Sequence, residues 1–170
     1  MAVLRVYKYP HSVLRQPCLP VDAFDDTLRQ LVADMTETMY SFGGAVGLAA
    51  PQVGITQRVL VIDMHAKTTQ DRLMVLINPL ILKASRTKLV REGCLSFPEY
   101  LANVRRATRV TVQAYDAHGA QQILQVDGLE AIAVQHELDH LDGVLMIDRI
   151  SSLKTDWIRR HHVPQEGSDT

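Results

Sequence analysis

The chain has 170 residues, of which 46% are hydrophobic and 22% charged, and its formal net charge is -1. That size and composition suit one soluble domain with its own core, and the balanced charge argues against a protein that wraps nucleic acid. The longest apolar stretches, such as 73–82, are too short to cross a bilayer. Residues 1–5 lack the apolar core of a secretory signal. We therefore expect a cytoplasmic protein with no DNA partner and no membrane partner.

The first third of the chain predicts an irregular segment, a helix and a glycine-rich segment. Three prolines in residues 1–22 exclude a continuous helix there. Apolar residues recur at helical spacing over 25–40, and Asp25 or Asp26 would cap the start of that helix. Residues 43–54 are small, apolar and rich in glycine, which would let another group approach the backbone closely.

The middle of the chain predicts strands. Strand-like runs cover 58–64, 73–82, 109–115 and 121–126, with a turn at 116–119. Because the strands lie in the middle and the helices towards both ends, we predict an α+β fold with antiparallel sheet.

A second helix is predicted over 128–142. Asp127 would be its N-cap, Glu130 would complete a capping box, and Gly143 would end the helix. A last amphipathic stretch starts near Ser151.

The strongest chemical signal is His136-Glu137-Leu138-Asp139-His140, inside the second helix. Positions i and i+4 of a helix lie on one face about one turn apart, so both imidazoles can bind one metal ion. Glu137 lies beside that pair and can act on a water molecule there. The segment therefore predicts a metal site in which Glu137 is not itself a ligand.

A catalytic site of this kind needs a third protein ligand. In one large class of metalloproteases it is a histidine six residues past the second ligand, but that position here is Met146. Cys94, between the backbone breakers Gly93 and Pro98, is the candidate. Taken alone, a buried and inert cysteine is the commoner case, and that interpretation is kept for Cys18.

Three segments together resemble the signature motifs of the peptide deformylase family, in order and spacing. They are Gly47-Leu48-Ala49-Ala50-Pro51-Gln52, Glu92-Gly93-Cys94-Leu95-Ser96 and Gln135-His136-Glu137-Leu138-Asp139-His140. The resemblance covers roughly residues 4–155. It implies a metal-dependent hydrolase that removes the N-terminal formyl group from formyl-methionyl peptides of nascent proteins and releases formate.

The resemblance also implies roles for individual residues. Cys94, His136 and His140 would bind one divalent metal ion, Fe(II) in the cell, although zinc, nickel or cobalt can occupy such a site. Glu137 would be the general base and acid. Two groups would stabilise the oxyanion, namely the side chain of Gln52 and the backbone N–H of Leu95.

Substrate contacts follow from the resemblance and from the helix. The backbone of Val46 and Gly47 would pair with the substrate peptide as an added strand. Leu129, Ile132 and Ala133 precede His136 by one or two turns, so with Val46 they could form an apolar wall for a methionine side chain. Core packing is the alternative for these three residues, and both can hold at once.

Two positions depart from the family pattern. Ala45 replaces the usual glycine before Val46, and Leu101 replaces an arginine that many bacterial members carry. Because leucine cannot donate a hydrogen bond, we expect weaker binding of short formyl peptides.

We predict one catalytic domain over 1–163, with antiparallel sheets around a central metal-binding helix, and a disordered polar tail at 164–170. The main rival function is a small zinc endopeptidase that uses the same His-Glu helix. A closed structural metal site is a second rival, but it would need a fourth protein ligand. Nascent formylated peptides, and through them the ribosome, are the expected partners.

Overall fold

The structure, a computed structural model, describes residues 2–64 and 72–161. Within these ranges, three α-helices and two short 3-10 helices accompany one sheet. The α-helices are α1 (Asp26–Ser41), α2 (Gly128–Leu141) and α3 (Met146–Arg149), and the 3-10 helices are Ser12–Arg15 and Ala50–Val53. The strands are β1 (Gly47–Ala49), β2 (Val59–Ile62), β3 (Met74–Gly93), β4 (Tyr100–Tyr115), β5 (Gln121–Asp127) and β6 (Trp157–Arg159).

The sheet runs in the order β1-β2-β3-β4-β5, and β6 pairs with the start of β4. Every pairing within it is antiparallel. The predicted α+β class with antiparallel sheet is therefore confirmed. No helix among the described residues is long and apolar enough to cross a membrane.

The prediction placed β3 and β4 correctly but made both far too short. β3 continues for 20 residues to Gly93, and β4 begins at Tyr100. Most side chains over 83–91 are exposed, so this half of the hairpin lacks the apolar alternation by which a strand is recognised. The extension matters because it carries the chain to Cys94.

Helix α1 begins where the sequence predicted. The Asp25 carboxylate accepts a hydrogen bond from the Leu28 backbone N–H at 3.0 Å, which satisfies one donor of the first turn. The apolar stripe of α1 packs against β1 and β2. Its buried apolar side chains are Leu28, Val32, Met35 and Met39.

The capping box predicted for α2 was wrong. Asp127 is the N-cap residue, but its side chain makes no capping hydrogen bond. Its carboxylate instead accepts from Arg109 Nε at 2.6 Å, across the β4–β5 pair. The predicted helix end is confirmed: Gly143 has a φ of +71°, and a Cβ there would meet the Arg15 carbonyl oxygen at 2.6 Å.

Helix α2 lies at the centre of the fold and packs against β4, β1, β2 and β5. The sheet buries most of it, including polar residues that an exposed helix would leave in water. The stretch predicted as amphipathic near Ser151 contains the short strand β6. The predicted disordered tail, 164–170, and the predicted domain boundary at 163 lie outside the described residues.

Candidate active site

The three predicted ligands converge in space. The ligand atoms of Cys94, His136 and His140 all lie within 4.8 Å of one another, and the three residues are buried. Cys94 Sγ is 3.2 Å from His140 Nε2. Helix geometry brings the two histidines together, whereas Cys94 arrives from the end of β3. One thiolate and two imidazoles suit a borderline divalent metal with a fourth position left open, so this donor set fits the metal that the motif implies.

A buried ionic network orients His136. Glu92 Oε2 lies 2.8 Å from His136 Nδ1, and a ring that donates from Nδ1 keeps Nε2 available as a ligand. Arg106 donates to both carboxylate oxygens of Glu92, at 2.6 and 3.1 Å, and to Asp139 at 2.6 Å. Arg149 closes the network with a 2.6 Å hydrogen bond to Asp139. Burial alone would raise the pKa of Glu92, but the His136 and Arg106 partners lower it to about 2.

Glu137 is held differently from these neighbours. Its Oε2 is buried and has no hydrogen-bond partner among the described residues. Burial raises the pKa of Glu137 to about 7. Its side chain packs on Gly47, where a Cβ would meet Glu137 Oε1 at 2.5 Å and Cγ at 2.9 Å. A side chain at position 47 would therefore collide with the Glu137 carboxylate, and glycine avoids this collision.

The Gln52 side chain contacts Cys94 and Ser96 directly. Its Oε1 accepts from the Ala49 N–H at 2.9 Å, which fixes the orientation of the amide. Its Nε2 lies 3.6 Å from Cys94 Sγ and donates to Ser96 Oγ at 3.2 Å. Ser96 in turn donates to the Tyr7 carbonyl at 2.9 Å. The amide hydrogens are thereby placed beside the ligand cluster.

A pocket of about 910 Å³ opens onto this cluster. Seven residues predicted for the site line it: Val46, Gly47, Gln52, Cys94, Leu95, His136 and Glu137. Lys8, Glu99 and Arg160 contribute charged groups to its wall.

Four predicted site residues are not among the described residues that line the pocket. His140 is buried behind Cys94 at 1% exposure. Leu129 is 67% exposed, Ile132 is half-buried, and Ala133 packs in the main hydrophobic cluster. The described residues that line the pocket do not include these three, so their contact with a methionine side chain stays a prediction.

Known proteins match both the sequence and the fold. The family model for polypeptide deformylase matches residues 3–156. The chain is 48% identical over 162 residues to a peptide deformylase of Acidobacterium capsulatum, covering 94% of each chain, and 42% identical to one of Thermodesulfovibrio yellowstonii, covering 94% of this chain and 96% of the relative.

The chain belongs to the polypeptide deformylase family.

Solved structures of the family share the fold. A crystal structure of the Legionella pneumophila peptide deformylase superposes with a TM-score of 0.85 at 40% identity, covering 90% of this chain and 89% of that one. The Synechococcus elongatus enzyme, in complex with actinonin, gives 0.84 at 42% identity, covering 89% and 83%. This chain is thus a metal-dependent hydrolase that removes the formyl group from nascent peptides, and the endopeptidase alternative is not favoured.

The sequence interpretation missed the network behind His136. Glu92 was detectable, because residues i and i+2 of a strand share a face, and Glu92 stands two residues before Cys94. Arg106 carried no such signal, since its partners depend on how β3 and β4 pair. Arg160 was not assigned to the site from the sequence, but the fold brings it to the pocket wall.

Proposed function

We propose that this chain hydrolyses the formamide of N-formylmethionyl peptides with Cys94, His136 and His140 as ligands of one divalent metal ion. The observation that carries the proposal is the convergence of these three donors within 4.8 Å, at a pocket that the Glu137 carboxylate also lines. Hydrolysis breaks the C–N bond of the formamide and forms a C–O bond with water. The products are formate and a free methionine amine.

A divalent metal ion held by Cys94, His136 and His140 would supply Lewis acidity, which would polarise the formyl carbonyl and lower the pKa of water at the site. We propose Fe(II) as the cellular metal, in keeping with the resemblance, with zinc, nickel or cobalt able to replace it. Metal analysis of anaerobically purified protein, paired with activity, tests this assignment. The iron form should lose activity in air while nickel and zinc forms are steadier, because a thiolate-bound Fe(II) centre is open to oxidation.

Glu137 moves the proton. Its carboxylate takes a proton from the attacking water and later delivers it to the leaving amine, as one group acting as base and then as acid. The close fit of Gly47 against this side chain supports the role, since the side chain packs on the glycine backbone at the pocket that Cys94 and His136 also line.

Gln52 and Leu95 stabilise the negative oxygen of the tetrahedral intermediate. The Gln52 amide is already oriented by the Ala49 N–H and lies 3.6 Å from Cys94 Sγ. Leu95 follows Cys94 directly in sequence, and it lines the same pocket. Donors held in place before the reaction need no reorganisation as charge develops.

The peptide binds along β1. This strand is the edge of the sheet, paired only with β2 in the described part of the chain. An edge strand offers free backbone groups to an extended peptide, so Val46 and Gly47 can pair with the substrate. The methionine side chain would face Val46, with Leu129, Ile132 and Ala133 as the proposed apolar wall.

We place the enzyme in the cytoplasm, acting on nascent chains at the ribosome. Lys154 and Arg159 are exposed near the end of the described chain and would supply the basic contact.

One assay tests the function as a whole. The metal-loaded protein should release formate from a formyl-Met peptide and leave the internal bonds of the unformylated peptide intact. Cleavage of internal bonds without formate release would instead support the endopeptidase.

A further inference from the structure

Arg160 is carried into the pocket by the last described strand. β6 pairs with the first residues of β4, with Arg159 opposite Tyr100. The next residue, Arg160, donates its backbone N–H to the Glu99 carbonyl at 2.8 Å. Its side chain then lines the pocket together with Gly93 and Cys94. A residue 66 positions after the cysteine ligand in sequence thus lies beside it in space.

Gly93 makes this position possible. A Cβ on Gly93 would overlap Arg160 Nη2, and on the same side it would approach Leu101 Cδ2 at 3.3 Å. The guanidinium therefore lies directly on the glycine backbone, one residue before Cys94. Leu101 flanks the same point from β4, where it pairs with Gly93.

The strand that carries Arg160 is anchored by aromatic packing. Trp157 stacks on Tyr100 with ring centroids 4.8 Å apart, and it meets Phe97 edge to face at 5.3 Å. Aromatic pairs of this kind add to the stability of the area they bury. The backbone at Arg160 is therefore held in place by the fold.

Among residues 2–64 and 72–161, no acidic side chain compensates the charge of Arg160. Its Nε is buried without a hydrogen-bond partner among the described residues. Across the same residues, no carboxylate forms an ion pair with Arg160. Glu99, whose backbone carbonyl accepts from the Arg160 N–H, pairs through its carboxylate with Arg159 at 3.8 Å instead. A half-buried cation without a counter-charge is unfavourable, and a ligand carboxylate can meet a guanidinium with two parallel hydrogen bonds.

We propose that Arg160 is a specificity-determining residue that binds a carboxylate of the peptide substrate, downstream of the formyl-methionine. The carboxylate can be an acidic side chain or the C-terminus of a short peptide. This proposal rests on the proposed function, because it extends the substrate class of the same pocket.

The test compares kcat and KM of the metal-loaded enzyme on four peptides. They are formyl-Met-Ala-Ala amide, formyl-Met-Ala-Gln amide, formyl-Met-Ala-Glu amide and formyl-Met-Ala-Ala with a free C-terminus. The wild-type enzyme should show a kcat/KM about tenfold higher on a peptide with a carboxylate than on the two neutral amides, because its KM is lower. The third and fourth peptides distinguish a side-chain carboxylate from a terminal one.

Variants assign the preference to Arg160. Arg160→Gln should remove it with kcat unchanged, and Arg160→Lys should retain part of it. Arg159→Gln is the matched control, because this neighbour also carries a positive charge but its side chain is 77% exposed. It should keep the full preference. Calorimetric binding of unformylated Met-Ala-Glu amide should weaken by a similar factor in Arg160→Gln alone, which measures recognition without turnover.

Four results would overturn the assignment: no carboxylate preference in the wild type, equal losses on neutral and acidic peptides, a fall confined to kcat, or the same loss in Arg159→Gln. Should Arg160→Gln fail to fold, the wild-type preference and its reduction in Arg160→Lys decide the question. Absence of formate release from every peptide would contradict the proposed function itself.

Discussion

The protein has two core regions that are equally buried and chemically opposite. The apolar core, beneath α1, includes Met35 and Met39, both 0% exposed. The polar core, around α2, includes Glu92 and Asp139 at 6% and 5%. Apolar side chains need only close packing, whereas buried polar groups need partners. Burial therefore does not distinguish α1 from α2, which carries the candidate active site, but the contacts of their buried side chains do.

The two cysteines repeat this contrast on a smaller scale. Cys18 and Cys94 are 6% and 8% exposed. Cys18 packs in the main hydrophobic cluster, and burial raises the pKa of its thiol to about 11. Cys94 instead lies within 3.2 Å of a histidine nitrogen. Substitution of the two cysteines, which are buried to a similar extent, should therefore affect metal content and activity differently.

The largest effect is expected for Cys94→Ala. It removes one of three ligands, so the variant should lose most bound metal and nearly all activity. The loss should exceed the roughly 10–100-fold effect of removing an outer-sphere partner. Cys18→Ala is the control and should change neither quantity. Metal content by elemental analysis and formate release measure both, and full metal occupancy in Cys94→Ala would refute the ligand assignment.

Glu137→Gln should separate binding of the metal from proton transfer. The amide has nearly the same shape but cannot accept the proton, so kcat should fall by roughly 10² or more while metal content stays constant. Glu130→Gln, on the first turn of the same helix, should leave both values unchanged. If Glu137→Gln lost its metal, Glu137 would be a ligand and the division of roles would be wrong.

Val32→Ala tests the apolar core. Removing two buried methyl groups should lower the free energy of unfolding by about 1.5–3 kcal/mol, from lost transfer energy and the cavity left behind. The folded variant should keep its metal and its kcat. Denaturant unfolding gives the energy, and the exposed Thr27→Ala on the same helix should stay within about 0.5 kcal/mol of wild type. A drop in kcat without a drop in stability would show that the two cores are not independent.

The smallest effect is expected for Leu101→Arg in the wild-type background. The sequence alone led us to expect that leucine weakens peptide binding. Because Arg160 and Leu101 flank the same point on Gly93, a second arginine should change KM on the free-carboxylate peptide by less than about twofold. In the Arg160→Gln background it should recover part of the lost affinity. If Leu101→Arg lowered KM several-fold in the wild-type background, Arg160 would not be the residue that binds the peptide carboxylate.

The features that were predicted correctly depend mostly on residues close together in sequence. The first helix was placed within one residue at each end, because both its apolar spacing and its Asp25 cap are local features. Ala45, a departure from the family pattern, proved compatible with the backbone: it is not among the non-glycine residues with positive φ. The Asp127 capping box failed because a residue 18 positions away, Arg109, takes the carboxylate.

By itself, the sequence determined which side chains are candidates to bind a metal. His136 and His140 are one helical turn apart, and the resemblance of the three motifs to the family adds Cys94 as the third candidate ligand. It also determined the α+β class, because hydrophobic periodicity is a local property of the chain. Only the tertiary structure decided how these candidate ligands are held. The register of β3 on β4 places Arg106 between Glu92 and Asp139, and the return of β6 brings Arg160 onto Gly93. Contacts of this kind join residues far apart in sequence, and no local pattern specifies which strands will pair or in which register.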